Sequence, residues 1–436
     1  MGCQMNVYDG QRISNMLGRQ GFSEALRVED ADIIILNTCS VREKATEKVF
    51  SELGRIRCAK KPDAIFGITG CVAREEGANA FKRISGLNFV LGPQSYHKIK
   101  DVISNPDAKH LQVDLSGLEK FDALPEMTSS GLAAYIPIQE GCSHACTYCI
   151  VPYTRGPEIS RPFDDIVKEA EVAVKNGALE ICFLGQNVNG YKFPMHNVQF
   201  TICNLIREIA KHPNIKRIRY TSSYPTEMTD DLIALHGSEP KLLPFLNLPL
   251  QSGSPDVLKR MNRPYDIEQY LDIIDRLRVA KPDIQISSDF IVGFPGESEN
   301  EFTKTLDIAR RVGFINSYSF KYSKRPHTAA AKMPDQIPES VKKERLFKLE
   351  SILNDNQRRF NESCVGKTLE CLFERYDGRG NAIYRTPYMQ QVIIGSRGFS
   401  EAPETANIKI TSANKSSLRG IPLLRRGADE VGGEGK

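Results

Sequence analysis

No stretch of this sequence approaches the about 18 consecutive apolar residues that a membrane-spanning helix needs. Its longest apolar pieces are short, such as Ile33 to Leu36 and Phe290 to Val292. The opening residues MGCQMN are polar and hold no export-signal core, which predicts a cytoplasmic chain with no membrane partner. Tryptophan is absent, and nothing follows from that. Compositional bias is also missing: 40% of residues are hydrophobic and 26% charged, which excludes wholesale disorder, collagen and coiled coil. The cysteine number, 11, is odd. Without an export signal it excludes a disulfide framework and points to metal or redox chemistry.

Net charge is +4, unevenly spread. Residues 365–426 hold ten cations (Lys367, Arg375, Arg379, Arg385, Arg397, Lys409, Lys415, Arg419, Arg425 and Arg426) against five acids (Glu370, Glu374, Asp377, Glu401 and Glu404). A basic module on a near-neutral body suggests a polyanion partner. A merely solvated surface remains the competing reading.

The 436 residues divide by pattern into an α/β chain of three parts. Residues 1–105 alternate two apolar strand candidates, Ala31–Asn37 and Ala64–Thr69, with helix-like stretches such as Asp9–Arg19 and Val41–Arg57. That alternation predicts a parallel sheet with its ligand edge beyond the strand carboxyl ends. Cys39 and Cys71 follow the two strands and Cys3 precedes the first helix, so three cysteines are expected at one edge. Residues 106–130, with Asn105-Pro106, Ser116-Gly117 and Ser129-Ser130-Gly131, read as a linker. Residues 131–362 hold six strand candidates: Tyr135–Gln139, Glu180–Leu184, Arg217–Tyr220, Phe245–Leu250, Ile284–Val292 and Ser317–Tyr322. Helix-like stretches between them predict a (βα)6 barrel or part-barrel, closed by a long charged helix over Glu339–Asn361. Polar and glycine residues follow every strand, on the face where barrel enzymes do chemistry. Residues 363–426 read as short strands Thr368–Arg375, Ala382–Thr386, Gln391–Ile394 and Asn407–Ser412, a small β-barrel. The Gly- and Glu-rich tail 427–436 is expected to be disordered.

Cys142, Cys146 and Cys149 form C-x3-C-x2-C directly after the first barrel strand. Three soft thiolates in a tight loop suit three irons of a [4Fe–4S] cluster and leave the fourth iron open. A three-ligand zinc site is the competing metal reading, although His144 is poorly spaced to join it. Cys3, Cys39 and Cys71 carry no spacing motif, and three small buried hydrophobes remain an alternative. Cys58, Cys182, Cys203, Cys364 and Cys371 read as core or surface thiols.

The C-x3-C-x2-C loop and its place resemble the radical S-adenosylmethionine (AdoMet) enzymes. GCQMN, NTCSVREKATEKVFSELGR, GCVAREEG, CSHACTYCIVPYTRGPEISRP, LGQNVNGY, LQSGS, GFPGE and YSKRPHTAAAKMPDQIPESVKKERL, in this order, resemble the methylthiotransferase family, most of all its MiaB-type tRNA branch. The resemblance covers residues 2 to about 423. It implies a second [4Fe–4S] cluster on Cys3, Cys39 and Cys71, a radical cluster on Cys142, Cys146 and Cys149, and a C-terminal TRAM domain that binds the tRNA anticodon stem-loop. The implied reaction places sulfur, then methyl, on C2 of N6-isopentenyladenosine beside the anticodon. C2–H is too strong and nonpolar for acid–base activation, so a radical must remove the hydrogen. The adenine must then lie between the clusters, with the N-terminal domain facing the barrel mouth.

The resemblance also implies AdoMet contacts. Gly185, Gln186 and Asn187 stand at the methionine amino group. Gln251, Ser252, Gly253 and the loop from Gly293 to Glu297 stand at the ribose and adenine, and Tyr148 packs on the adenine. A glycine turn is the plain alternative for each loop. Arg155, Arg161, Lys324 and Arg325 are candidate phosphate contacts, set against ordinary surface cations. The implied partners are a reductant such as flavodoxin or ferredoxin and Fe–S assembly or sulfur-carrier proteins, with a monomer expected. Residues Glu339–Arg345 read as a solvated charged face.

Three departures from the family pattern stand out. No strand precedes Cys3, which predicts an unpaired sheet edge and a poorly anchored Cys3. Asn247 replaces a usual His and cannot titrate. The stretch Gly395–Glu404 is irregular. Two rival functions remain: a sister methylthiotransferase acting on threonylcarbamoyladenosine tRNA or a ribosomal-protein aspartate, and a non-catalytic Fe–S RNA-binding sensor.

Overall fold

The computed structural model describes residues 3–40, 43–115, 117, 119–123, 126, 131–195, 197–395 and 401–423. The tail 427–436 and the central part of the irregular 395–404 stretch lie outside them.

The N-terminal domain is a three-layer α/β unit. In chain order its elements are α1 (Gln4–Arg19), β1 (Ile33–Thr38), α2 (Glu43–Ala59), β2 (Ile65–Gly70), α3 (Cys71–Glu76), β3 (Phe89–Leu91) and β4 (His110–Gln112). The four strands pair in parallel in that order. Alternation along β2 and β3 supplies both faces. Phe66, Ile68 and Val90 pack with Phe50, Leu53 and Ile56 of α2. Phe89 and Leu91 pack with Ile13 and Met16 of α1 on the other side.

Two findings correct the pattern reading. β3 and β4 were not expected, because three-residue strands show no periodicity. β4 and a short helix α4 (Glu119–Ala123) occupy the 106–130 segment read as a linker. Pairing with β3 turns a turn-rich stretch into a strand. As expected, β1 is an edge strand among the described residues.

The central strands are β5 (Ala133–Pro137), β6 (Glu180–Leu184), β7 (Arg217–Tyr220), β8 (Phe245–Asn247), β9 (Gln285–Ser287), β10 (Asp289–Val292) and β11 (Tyr318–Lys321). They run parallel in three ladders, β5–β6–β7, β8–β9 and β10–β11. Single bridges, Ile218 to Leu242 and Gln251 to Phe290, carry the curve between ladders. β9 and β10 are one strand broken at Ser288, whose Oγ accepts from the Leu250 amide at 2.9 Å. Helices such as Phe163–Lys175 and Glu299–Val312 cover the outside and share a single core with the strands.

Between β5 and β6 the chain leaves the barrel in a long loop, closed at its base by the antiparallel pairs Gln139–Ser160 and Glu140–Ile159. This loop contains the three clustered cysteines and a short helix, α5 (Val151–Arg155). After β11 comes α6 (Glu339–Ser363). The face of α6 read as solvated is partly a packing face: Lys342 and Arg345 are buried.

The C-terminal domain is a closed barrel. Its strands are β12 (Thr368–Tyr376), β13 (Ala382–Arg385), β14 (Gln391–Ile394), β15 (Thr405–Ala413) and β16 (Ser417–Pro422), ordered β12-β13-β14-β16-β15. β16 was not expected from SLRGIP, whose Gly and Pro weaken the strand signal. Closure needs it, because β14 and β15 would otherwise expose edges. This barrel docks on the strand-start end of the central one. Arg217, the first residue of β7, donates to the carbonyls of Arg385 at 3.0 Å and Glu370 at 2.5 Å. Tyr388 Oη donates to Asp283 at 3.1 Å.

Candidate functional site

The cluster loop is built by close backbone approach. Gly141 opens it at φ +75°, and a Cβ there would meet the Pro157 carbonyl at 2.0 Å. Only glycine fits. The Cys142 amide donates to Gly156 O at 3.1 Å and the Cys149 amide to Cys146 O at 3.0 Å. A second segment clamps the loop: the Thr147 amide donates to Met261 O, and Asn262 Nδ2 to Ala145 O at 2.8 Å.

Burial raises the Cys142 thiol to about 11 and the Cys149 thiol to about 12. Thiolates here therefore need positive charge nearby. Irons would supply it, and so does Arg263. Its Nη1 lies 3.6 Å from Cys146 Sγ, its Nε donates to Tyr265 Oη at 2.8 Å, and its Nη2 donates to Pro249 O at 2.9 Å. The guanidinium also sits over the Tyr224 ring at 4.2 Å. Pattern reading missed Arg263, because nothing in its spacing ties it to cysteines more than a hundred residues away. Tyr148, between the cysteines, packs with Val257, Met261 and Phe294. That brings the cluster loop against the GFPGE loop.

The loops after the strands divide into those aimed at packing and those left open. The Gln139 side chain accepts from the amides of Gln186 at 2.8 Å and Asn187 at 3.0 Å. Gln186 Oε1 accepts from the Gly141 amide at 2.6 Å. A Cβ on Gly185 would meet Gln139 Oε1 at 2.5 Å. Asn187 Nδ2 donates to Glu158 at 3.0 Å, and Asn187 Oδ1 is buried without a partner among the described residues. Ser223 Oγ and Glu297 Oε1 are likewise buried and unpartnered there. Ser222 and Gln251, each just past a barrel strand, hold left-handed backbone at φ +62° and +73°, the strained geometry common at functional sites. Orphan acceptors and glycine-only approaches fit a polar ligand such as AdoMet.

Ser252 and Gly253 serve differently. Ser252 Oγ and the Gly253 amide both meet Thr305 Oγ1, at 3.3 and 2.9 Å, so that trio offers a ligand chiefly Gln251. Glu297 closes its own loop by accepting from the Gly293 amide at 2.6 Å and grips Arg345 at 2.9 Å. Burial lifts its carboxyl to about 7. Asn247 stitches neighbouring strands, donating to Ser287 Oγ at 3.3 Å.

The N-terminal cysteines meet at the carboxyl edge of the sheet. Cys3 precedes α1, Cys39 follows β1 and Cys71 opens α3. Hydrogen bonding to the Cys39 thiol, then burial, pushes the Cys3 thiol up. Burial also raises Cys71, while the positive charge of Arg155 pulls it back. Cys3 is held, against the expectation of poor anchoring: its carbonyl accepts from the Val7 amide at 3.1 Å and its side chain packs on the cluster of Met5, Tyr8, Cys182 and Leu184. Among the described residues no three side chains are set around a single ion. A four-iron cluster spreads its thiolates about a cube and asks for a wider spacing than the four-ligand grip of one zinc.

Arg155 and Arg161 are not phosphate contacts. Arg155 is buried in ion pairs with Asp9 at 3.2 Å and Glu140 at 3.0 Å. Arg161 is buried against Glu169 at 2.7 Å and the Phe121 ring at 4.2 Å. Arg325 is also buried, whereas Lys324 stays exposed. Arg side chains beside aromatic rings and carboxylates fold inward, and a one-dimensional pattern does not show that.

Two family models match the chain: the Radical SAM superfamily over residues 136–309 and Uncharacterized protein family UPF0004 over residues 1–92. The chain is 46% identical over 428 residues to a tRNA-2-methylthio-N(6)-dimethylallyladenosine synthase of Sphingopyxis alaskensis, covering 97% of this chain and 96% of that one. It is 49% identical over 434 residues to the synthase of the same name from Rickettsia bellii, covering 96% and 97%. The chain belongs to the tRNA-2-methylthio-N(6)-dimethylallyladenosine synthase family. Among solved structures it shares its fold with the radical S-adenosylmethionine methyltransferase TsrM of Kitasatospora setae. The TM-score is 0.55 at 14% identity, covering 85% of this chain and 76% of that one.

With the synthase family established, the arrangement has a direct chemical sense. α5 begins two residues after Cys149, packs on α3, which Cys71 opens, and ends at Arg155, which pairs with Asp9 of the helix that Cys3 precedes. At about 1.5 Å per helical residue, one short helix separates the two cysteine sets. A second joint lies beside it, where Met5 and Tyr8 of α1 pack on Cys182 and Leu184 of β6. As anticipated for the synthase family, the N-terminal domain faces the side of the barrel where the cluster loop emerges.

Proposed function

We propose that this chain methylthiolates C2 of N6-isopentenyladenosine beside the anticodon of tRNA, as a radical-AdoMet enzyme with two [4Fe–4S] clusters. The observation that carries the reading is the single helix, α5, which begins two residues after Cys149 and packs on α3, the helix that Cys71 opens. Bound cluster and AdoMet supply a radical able to take hydrogen from an unactivated carbon, and a sulfide to place there. The chain's own residues hold that chemistry in place. Cys142, Cys146 and Cys149 hold the radical cluster, and Cys3, Cys39 and Cys71 hold the other. Arg263 offsets thiolate charge at Cys146. Asn187, Ser223 and Gln251 offer polar atoms toward AdoMet, and Tyr148 and Phe294 pack at its adenine. The exposed cations of the C-terminal barrel bind the anticodon stem-loop. A small reductant of the flavodoxin or ferredoxin type and a sulfur-supplying Fe–S assembly protein complete the cycle, and the chain works as a monomer.

The test is nucleoside mass spectrometry on bulk tRNA from a bacterium lacking its own methylthiotransferase and expressing this chain. Recovery of 2-methylthio-N6-isopentenyladenosine supports the reading, with Cys146→Ala abolishing it. Persistence of isopentenyladenosine with iron-loaded protein overturns it. A chain that also forms no 5′-deoxyadenosine under reduction would be a sensor.

A further inference from the structure

Arg155 has a place that its sequence context does not announce. It ends α5 and is 4% exposed. Asp9 of α1 and Glu140 of the cluster-loop base hold its guanidinium from two sides. Lys120 of α4, fully buried, bridges the same two carboxylates and donates to Pro93 O at 3.3 Å. The Arg155 carbonyl in turn accepts from Gln94 Nε2 at 2.9 Å. Two buried cations and two buried anions thus form a closed, formally neutral set. Its members come from α1, α4, the cluster-loop base and α5, so it joins the N-terminal domain to the barrel.

A neutral set of this kind costs desolvation and adds little net stability over an apolar core of equal volume. Its position suggests a further purpose. α3, which opens at Cys71, packs on α5. Arg155 pairs with Asp9 on α1, the helix that Cys3 precedes, while its own helix packs on the one that Cys71 opens, so the guanidinium lies among the elements that carry both cysteines. A planar, permanently charged fork with five donors holds two carboxylates in a fixed geometry that an ammonium does not impose.

We infer that Arg155 is a positioning residue for the N-terminal cysteine site. Its cation faces the cluster held there and raises that cluster's reduction potential, while its α5 backbone fixes the distance to the radical site. This rests on the reading that Cys3, Cys39 and Cys71 hold a cluster. Each electron added to such a cluster makes the site one unit more negative. A buried cation beside it therefore favours the reduced form, and removing that cation leaves Asp9 and Glu140 in excess.

The test uses the full chain with Cys142, Cys146 and Cys149 all changed to Ala, so that iron and sulfide load only the N-terminal site. The cluster is titrated anaerobically and followed by electron paramagnetic resonance. Arg155→Met is expected to shift the midpoint to more negative potential. Arg155→Lys, which keeps the charge but not the fork, is expected to shift it less in the same direction. Iron bound with an unchanged midpoint in Arg155→Met overturns the inference alone. No iron in the parent with Arg155 intact overturns the cluster reading and the inference with it. If Arg155→Met takes up no iron, Arg155→Gln, which keeps polar donors without the charge, decides: a negative shift supports the inference and an unchanged midpoint overturns it.

Discussion

His236 lies fully buried on the helix Asp230–Ser238, with Nε2 2.7 Å from Tyr220 Oη. Burial, with Lys281 adding to it, lowers its pKa to about 3. The folded state therefore holds neutral imidazole where the unfolded chain, near 6.5, takes a proton. Below that value the unfolded state binds more protons, so stability falls as pH falls from about 6.5 toward 3, by up to about 1.4 kcal/mol per unit, and is flat for this group above. Urea titrations across that window should show the slope, and His236→Leu should flatten it. Arg155, Arg161 and Arg263 teach a similar lesson. Each is an ordinary cation in the sequence and a buried partner in the fold, because Asp9, the Phe121 ring and Cys146 reach them from separate segments. The cysteines were legible for the opposite reason. Cys142, Cys146 and Cys149 carry a local spacing, C-x3-C-x2-C, and Cys39 and Cys71 stand just after strands.

Among the elements, α6 shows how a charged surface hides a structural hinge-point. Its Arg345 reaches Glu297 through the side chain at 2.9 Å and the carbonyl at 2.8 Å, and Glu299 at 3.3 Å. The helix that leads into the C-terminal barrel is thereby latched to the GFPGE loop. Arg345→Met leaves a carboxyl already lifted to about 7 to take a proton at neutral pH, and should cost about 1–3 kcal/mol for the hydrogen bonds left unmade, more at alkaline pH where the carboxyl must ionise unpaired. Adding Glu297→Gln should remove that extra alkaline loss. A double-mutant cycle by denaturant midpoint checks both. Most barrel strands were readable because parallel strands buried on both faces are near-continuous apolar runs. β3, β4 and β16 were not, because their strand character comes from a neighbour's hydrogen bonds.

At the scale of the whole molecule, the cysteine loop and the basic C-terminal barrel lie at opposite ends of the central strands. The cluster loop and the loops after β6, β7 and β8 lie at the strand carboxyl ends. The C-terminal barrel docks through Arg217 and Asp283 at the opposite, strand-start end. Its exposed Lys409, Lys415 and Arg419 are thus carried at the end away from the cysteine loop. Changing them to Ala should lower the salt slope of tRNA binding by about 1 for each phosphate no longer neutralised, and leave AdoMet cleavage without tRNA unchanged. Filter binding from low to moderate salt, with a 5′-deoxyadenosine assay alongside, reads both.

Local chemistry was enough to single out the C-x3-C-x2-C cysteines, the six parallel strand positions and the basic module, while the role of Cys3, Cys39 and Cys71 was implied only by the family resemblance. Thiolate spacing, apolar runs and charge excess are properties of neighbouring residues. Which cations face RNA, which loops stay open for a ligand and how the two cysteine sets meet depended on the folded chain. Those answers are set by contacts between residues such as Asp9 and Arg155, or Cys146 and Arg263, that more than a hundred positions separate along the chain.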